Sequence, residues 1–407
     1  SEKRTMNILD YIRWRGDLTF KSDPFNDVDN LVFSQMIYAG FDQVLKNKDS
    51  RMTIKEIADR LFALHDGDIE KSKQFGKDGM LVLREMSHVQ RYENCVVYNY
   101  ESILHADTTE QFTACMIDLP DHTTVVCFKG TDEHMIGWKE DCYLSYRDIA
   151  SQEDALNYVN RYCKLYKTYR IIGHSKGGNL AVYAAVHCKP WIRWRIKEIL
   201  SNDGPGLRPG SYDPKIFEKI KDRYTLIVPE KDAVGTIYEL APKKIIARVS
   251  TKNIVEAHGI LTWQVSEGQI VKADNDSYQT DKTRLALLEF LKSSTEEERK
   301  SFIEEVFKAF DEAGITTVTQ LAHGGFPVLL RAIKELSEID SASKRVALKL
   351  AKVFSISVSS GLAFHKTVSE QASWLKGKAR SLEGKIGILN KEKEQENTEE
   401  EKEKEDQ

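Results

Sequence analysis

The chain is poor in the features that would make it a membrane, metal or nucleic-acid protein. No apolar run is long enough to cross a bilayer, and the charged N-terminal stretch lacks the apolar core of a signal peptide. Its six cysteines (Cys95, Cys115, Cys127, Cys142, Cys163 and Cys188) show neither Cys-x-x-Cys pairing nor His/Cys ligand spacing, and several fall in apolar segments, so they read as reduced core residues. No metal or cofactor is expected. A net excess of positive charge is missing too: the formal net charge is −4, and residues 391–407, with four lysines against eight glutamates and Asp406, account for −5 by themselves. The rest sits near +1 without an aromatic-basic stripe, which argues against nucleic acid as a partner. These absences make a cytoplasmic globular protein the expectation, and 407 residues at 41% hydrophobic content allow one large core with an accessory lobe or two ordinary domains.

What is present is organised around Tyr169–Ala185. A short apolar run ends at Gly173, Ser175 stands between Gly173 and Gly177, and an alanine-rich segment with helical character follows, giving strand, sharp turn and helix. That order describes a nucleophile elbow, in which a strained serine is lifted clear of the sheet and the helix amides after it point at a developing oxyanion.

Around this stretch the periodicity changes twice. Apolar residues recur at helical spacing in Met6–Trp14, Asp27–Leu45, Ile54–Leu64 and Lys77–Met86. From Cys95 the pattern is that of strands: Cys95–Tyr100, then Phe112–Leu119 and Thr123–Phe128 joined by a Pro-Asp-His turn. Helix and strand then alternate through Asp154–Leu165, Arg170–Ile172, Gly178–Val186, Ile196–Ser201, Pro214–Ile220, Tyr224–Val228 and Lys244–Val249, with Trp263–Ile270 as a further strand candidate. Alternation at this spacing predicts βαβ units in a mostly parallel mixed sheet. Helices return in Glu296–Ala313, Val328–Ser337, Ser341–Phe354 and Val368–Leu389. The expected organisation is a helical N-terminal region over 6–94, an α/β core over 95–294, a helical C-terminal extension over 295–390 and a solvated, disordered charged tail over 391–407.

A serine nucleophile needs a base and an acid to orient it, in the chain order serine, acid, histidine. His187 lies about three helical turns beyond the elbow, and His323 and His365 fall in the helical C-terminal region. His258, in a loop between Val249 and Trp263, is left as the base. Asp203 and Asp232 both sit just past predicted parallel strands, the edge where open α/β sheets carry their sites. Chain order favours neither; Asp232 ranks first because it follows the second strand after the nucleophile and precedes the His258 loop, while Asp203, in Asp-Gly-Pro-Gly, also reads as a turn residue. The oxyanion donors would be the amides of Thr131, after the strand Val125–Phe128, and Lys176.

Phe128-Lys129-Gly130-Thr131-Asp132, with Trp138 and Asp141 beyond it, and Gly173-His174-Ser175-Lys176-Gly177-Gly178-Asn179-Leu180-Ala181 resemble the class 3 (fungal-type) lipase family of α/β-hydrolases, whose elements read Phe-Arg-Gly-Thr/Ser and Gly-His-Ser-Leu-Gly-Gly. Asn7-Ile8-Leu9-Asp10-Tyr11, Asp203-Gly204-Pro205-Gly206 and Lys176 look like a branch of that family from Gram-positive bacteria. The similarity covers roughly residues 6–270. It implies Ser175 as nucleophile, Asp232 as acid, His258 as base and Thr131 in the oxyanion loop, acting on a small-molecule ester or lipid such as a phospholipid or lysophospholipid. A thioesterase or acyltransferase would use the same residues, and a non-catalytic interaction protein on this scaffold is the other class. Lys176 stands where the family has leucine and Lys129 where it has arginine, and a cation beside the nucleophile would favour acidic or phosphorylated substrates. Glu133–Lys139, with three large apolar side chains around Gly137, has two readings: a lid that opens toward membranes or micelles, or a segment packed under the N-terminal helices. Oligomeric state is not encoded in any of these patterns.

Overall fold

The computed structural model describes residues 5–47, 49–64, 74–132, 135–232, 234–252, 254–312 and 314–316. The expected helices Val328–Ser337, Ser341–Phe354 and Val368–Leu389 and the tail 391–407 lie outside the described residues, as do Glu133 and His134.

The N-terminal helices begin where side chains supply the missing acceptors of a first turn. Asn7 caps α1 (Ile8–Arg15) and Asn26 caps α2 (Asp27–Met36), each completing a reciprocal capping box with the aspartate three residues on, Asp10 and Asp29. The expected helix Asp27–Leu45 stops at Met36; a short 3₁₀ turn follows, and Gly40 breaks the path with φ +71°. α3 (Ile54–Leu64) and α4 (Gln74–Met86) complete this group.

Eight strands form one sheet whose spatial order follows the chain: β1 (Arg51–Thr53), β2 (Val96–His105), β3 (Glu110–Asp118), β4 (Thr123–Phe128), β5 (Thr168–His174), β6 (Ile196–Asn202), β7 (Tyr224–Pro229) and β8 (Lys243–Ala247). The pairings from β1 to β4 are antiparallel and those from β4 to β8 parallel. The β3–β4 connection is the expected tight turn, with His122 at φ +66°. α5 (Met135–Tyr143) and α6 (Ala150–Tyr162) link β4 to β5, α7 (Lys176–His187) and α8 (Pro190–Arg195) link β5 to β6, and α9 (Pro214–Glu218) lies between β6 and β7. Trp263–Ile270 does not extend the sheet: it forms a separate hairpin, β9 (Val265–Ser266) with β10 (Gln269–Ile270), preceded by α10 (Ile254–Ala257).

Alternating side chains divide the strand residues between two cores. Cys127, Ile172, Leu200 and Ile227 pack with the N-terminal helices, whereas Val126, Phe128, Ile171, Ile199 and Leu226 pack with α6 and α7. Burial on both faces is what permits the nearly continuous apolar runs of β5 and β7. A mostly parallel mixed sheet covered by helices on both faces is an α/β-hydrolase fold. Beyond it come α11 (Asn275–Gln279), α12 (Lys282–Ser293) and α13 (Glu296–Glu312). Ile303, Phe307 and Phe310 of α13 bury against Tyr143, Leu144, Tyr146 and Ile149, so α13 docks on the segment joining α5 to α6. No described helix is long and apolar enough to cross a membrane.

Candidate active site

Strand β5 ends, and helix α7 begins, at Ser175, whose backbone is held at φ +57°, ψ −130°. A non-glycine residue in that region is strained, and here the strain is held from both sides. The Ser175 amide donates to the Asn202 carbonyl at 2.9 Å, and the Gly178 amide donates to the Ser175 carbonyl at 2.9 Å. The turn closes only because its flanks lack side chains: a Cβ on Gly173 would stand 2.2 Å from the Gly177 carbonyl carbon, and one on Gly177 would stand 2.2 Å from the Phe128 carbonyl oxygen. Asn202 locks the elbow to the N-terminal helices, donating from Nδ2 to the Gly173 carbonyl, to Ser34 Oγ and to Asn30 Oδ1 of α2.

His258 follows α10 in a loop pinned by the buried Trp263, whose indole N–H donates to the Ala257 carbonyl at 2.8 Å. Its ring lies against His174, with centroids 4.6 Å apart, and His174 directly precedes Ser175. His174 is itself fully fixed: Nε2 donates to the His258 carbonyl at 2.8 Å, so Nδ1 is the acceptor for the Tyr38 hydroxyl at 3.0 Å. Burial, reinforced by the neighbouring His258, pushes the His174 pKa down to about 3, which keeps the ring neutral in this tautomer.

The carboxylate that meets His258 is that of Asp203. His258 Nδ1 donates to Asp203 Oδ2 at 2.6 Å, and the Gly235 amide donates to Oδ1 at 2.9 Å. Burial alone would raise this carboxyl, but the facing imidazole and its hydrogen bond hold it below the ordinary aspartate range. Nδ1 being engaged leaves Nε2 as the basic nitrogen.

This geometry corrects the ranking of Asp232 over Asp203. Asp232 is fully buried and takes the Tyr278 hydroxyl on Oδ2 at 2.7 Å. Burial and the adjacent Asp203 drive its pKa well above the usual value, because two buried carboxylates side by side do not both ionise. Asp203 follows β6 by a single residue and turns back at φ +50° toward His258, whereas Asp232 lies three residues past β7 and faces α11. The turn reading of Asp203 holds as well; it is the turn that aims the carboxylate.

The loop after β4 closes the other side. A Cβ on Gly130 would stand 3.0 Å from Ser175 Cβ, which places the Gly130–Thr131 loop beside Ser175. The Thr131 hydroxyl donates to Asp141 Oδ2 at 2.5 Å. The Lys176 amide is the first of α7, where no intrahelical acceptor exists. Its side chain does not face a substrate: Nζ is buried, donating to Glu140 Oε2 at 2.8 Å and to the Gln111 carbonyl at 2.7 Å. Lys129 likewise pairs with Asp132 at 3.2 Å. A cation at position 176 that favours acidic substrates is therefore not what the structure contains, since a carboxylate already neutralises it.

Of Glu133–Lys139, expected as a lid or a packed segment, the described part from Met135 on belongs to the helix α5, which also carries Glu140 and Asp141. Glu140 is buried and accepts from the amides of Gln111 and Ser151 and from the Ser151 hydroxyl, so α5 is tied to β3, α6 and α7 at once. These ties hold α5 to the sheet and to α6 and α7, whereas the packed reading puts the segment under the N-terminal helices. Sequence reasoning missed Tyr38, Gln111 and Glu140; the signal for Glu140 was the lysine inside the elbow, because a lysine that enters a core needs a carboxylate there.

Among solved structures, the crystal structure of M37 lipase aligns with this chain at 14% identity and a TM-score of 0.31, over 61% of this chain and 78% of that chain. Among curated proteins none matches. Residues 86–308, more than half of the sequence and the stretch that holds every residue of the site except Tyr38 and the α2 contacts, match the family model described as Mbeg1-like, a lipase-like family, and the chain therefore belongs to the Mbeg1-like family.

Proposed function

We propose that this protein is a serine hydrolase of carboxylic esters with Ser175 as nucleophile, His258 as base and Asp203 as the acid that orients it. The observation that carries the reading is the pairing of a strained elbow serine with a histidine whose Nδ1 is held by a buried carboxylate at 2.6 Å. In this mechanism His258 Nε2 takes the Ser175 hydroxyl proton as the oxygen attacks the ester carbonyl, and Asp203 stabilises the imidazolium that forms. The amides of Thr131 and Lys176 receive the oxyanion. Collapse expels the alcohol, protonated by His258, and water then attacks the acyl-enzyme by the same route to release the acid. With the Lys176 ammonium consumed by Glu140, selection of the ester falls to groups other than that cation.

The test is labelling of the purified chain by a fluorophosphonate probe, together with turnover of p-nitrophenyl esters. Both should vanish in Ser175→Ala while the melting temperature is kept. An unlabelled wild-type serine would leave the elbow structural and refute the proposal.

A further inference from the structure

Two short segments that interleave basic and aromatic residues, Arg161–Arg170 and Trp191–Lys197, are brought to one face by the fold. From Arg161 to Lys197 the chain contains nine lysines and arginines and no aspartate or glutamate. Strands β5 and β6 are parallel neighbours with Tyr169 opposite Ile196, so the turn that precedes one and the helix α8 that precedes the other meet at the same edge of the sheet. Contacts join them: Arg195 donates from Nε to the Lys167 carbonyl at 2.7 Å, and the Lys189 amide donates to Asn160 Oδ1 at 3.0 Å. At this edge Leu165 is 57% exposed, Tyr166 78%, Trp191 39% and Trp194 74%, half of the large exposed apolar side chains among the described residues. Lys164, Lys189 and Lys197 are exposed among them. Of the carboxylates around this edge, Asp118 pairs with Lys167 at 2.7 Å, Glu101 with Arg161 at 3.2 Å and Glu198, next to Lys197, with Arg170 at 2.6 Å.

We infer that this edge, formed by Leu165, Tyr166, Trp191 and Trp194 within a ring of lysines, is a docking surface for an anionic lipid bilayer. Indole and phenol rings partition to the interface between head groups and acyl chains, and lysines around them add attraction to anionic head groups. The exposed lysines favour an anionic over a neutral surface, and the apolar share, with Leu165 inside it, has no counterpart on a purely acidic ligand. The patch lies at the N-terminal ends of the parallel strands. Ser175 follows the C-terminal end of β5, seven residues away, and at about 3.3 Å per residue the two are separated by roughly 20 Å. Docked this way, the protein presents its elbow to the aqueous side, and its ester arrives from solution.

The experiment is flotation of the full chain with vesicles of phosphatidylcholine alone or mixed with phosphatidylserine, at low and high salt. The wild type should float with the mixed vesicles at low salt only. Tyr166→Ala/Trp194→Ala and Lys164→Glu/Lys189→Glu/Lys197→Glu should each lower the partition by about tenfold or more at an unchanged melting temperature. Failure of the wild type to float, which would leave the face to a protein partner, overturns the inference. So does flotation of both variants at the wild-type level, which would place membrane contact elsewhere in the chain.

Discussion

Replacing Lys176 by methionine separates two roles that a lysine next to a nucleophile can have. Its ammonium and the Glu140 carboxylate are both buried, so the substitution removes one half of an internal ion pair. Breaking such a pair costs about 3 to 5 kcal/mol, chiefly by stranding the partner. Here the partner is not stranded: Glu140 keeps three donors, from Gln111 and from the amide and hydroxyl of Ser151, and methionine refills most of the aliphatic volume. The expected loss therefore lies at the low end, about 3 kcal/mol, or roughly 6 °C in melting temperature for a domain of this size. The backbone amide at 176 survives, so turnover should fall only through looser seating of α5 and the oxyanion loop. The discriminating assay is kcat/KM for a neutral and an anionic ester of equal chain length. Their ratio should be the same in both proteins within about twofold, a difference of about 0.4 kcal/mol. An anionic preference that collapses by about tenfold or more in Lys176→Met, with stability unchanged, would refute the reasoning and make the lysine a substrate contact.

Asp203→Asn should lower kcat by about 10⁴ while KM holds, because the amide favours the wrong imidazole tautomer, whereas Asp232→Asn, replacing a carboxyl whose ionisation burial and Asp203 already oppose, should keep most turnover; steady-state kinetics of the two variants decides, and the opposite order would exchange the roles. His174 has a folded pKa of about 3 against about 6.5 in the unfolded chain, so the unfolded state binds the extra proton between those values. Its contribution is complete above about pH 6.5 and is lost as pH falls toward 3, at up to about 1.4 kcal/mol per pH unit, and urea melts of His174→Asn should show a shallower decline. Gly177→Ala should cost about 3 kcal/mol or more and remove probe labelling, since its Cβ would meet the Phe128 carbonyl oxygen at 2.2 Å; a normal melting curve with full labelling would show that the elbow can relax.

Local chemistry made much of the fold readable. The order of β4 through β8 followed from alternating periods, the β3–β4 turn from Pro-Asp-His, and the elbow from two glycines about a serine. What stayed hidden depended on which way side chains turn in three dimensions. Asp203 and Asp232 each sit past a parallel strand, and nothing in one dimension says that the first bends back at φ +50° while the second is met by Tyr278. β1 is three residues long inside a helical stretch, too short for a period to register. The segment entering α5 stayed between a lid and a packed reading because its anchor, Glu140, is recognisable only once Lys176 is known to point inward.

The sheet order carries a consequence for how the chain is made. Each strand is laid against the one before it, so none has to be inserted between two that are already paired. Emerging from a ribosome, the sheet can lengthen from one edge without reopening, the kind of addition that limits loop-closure entropy and exposure of unpaired backbone. Ties from the N-terminal helices to later elements must wait, among them the latch of Asn30 on Asn202, which joins residues 172 apart. Before β6 has been synthesised α2 can seat on α4, with Asp29 paired to Arg91 just beyond it, but lacks this tie to the sheet, and nascent chains that stop before residue 202 should be cut over Asp27–Met36 faster than chains long enough to place that asparagine outside the exit tunnel.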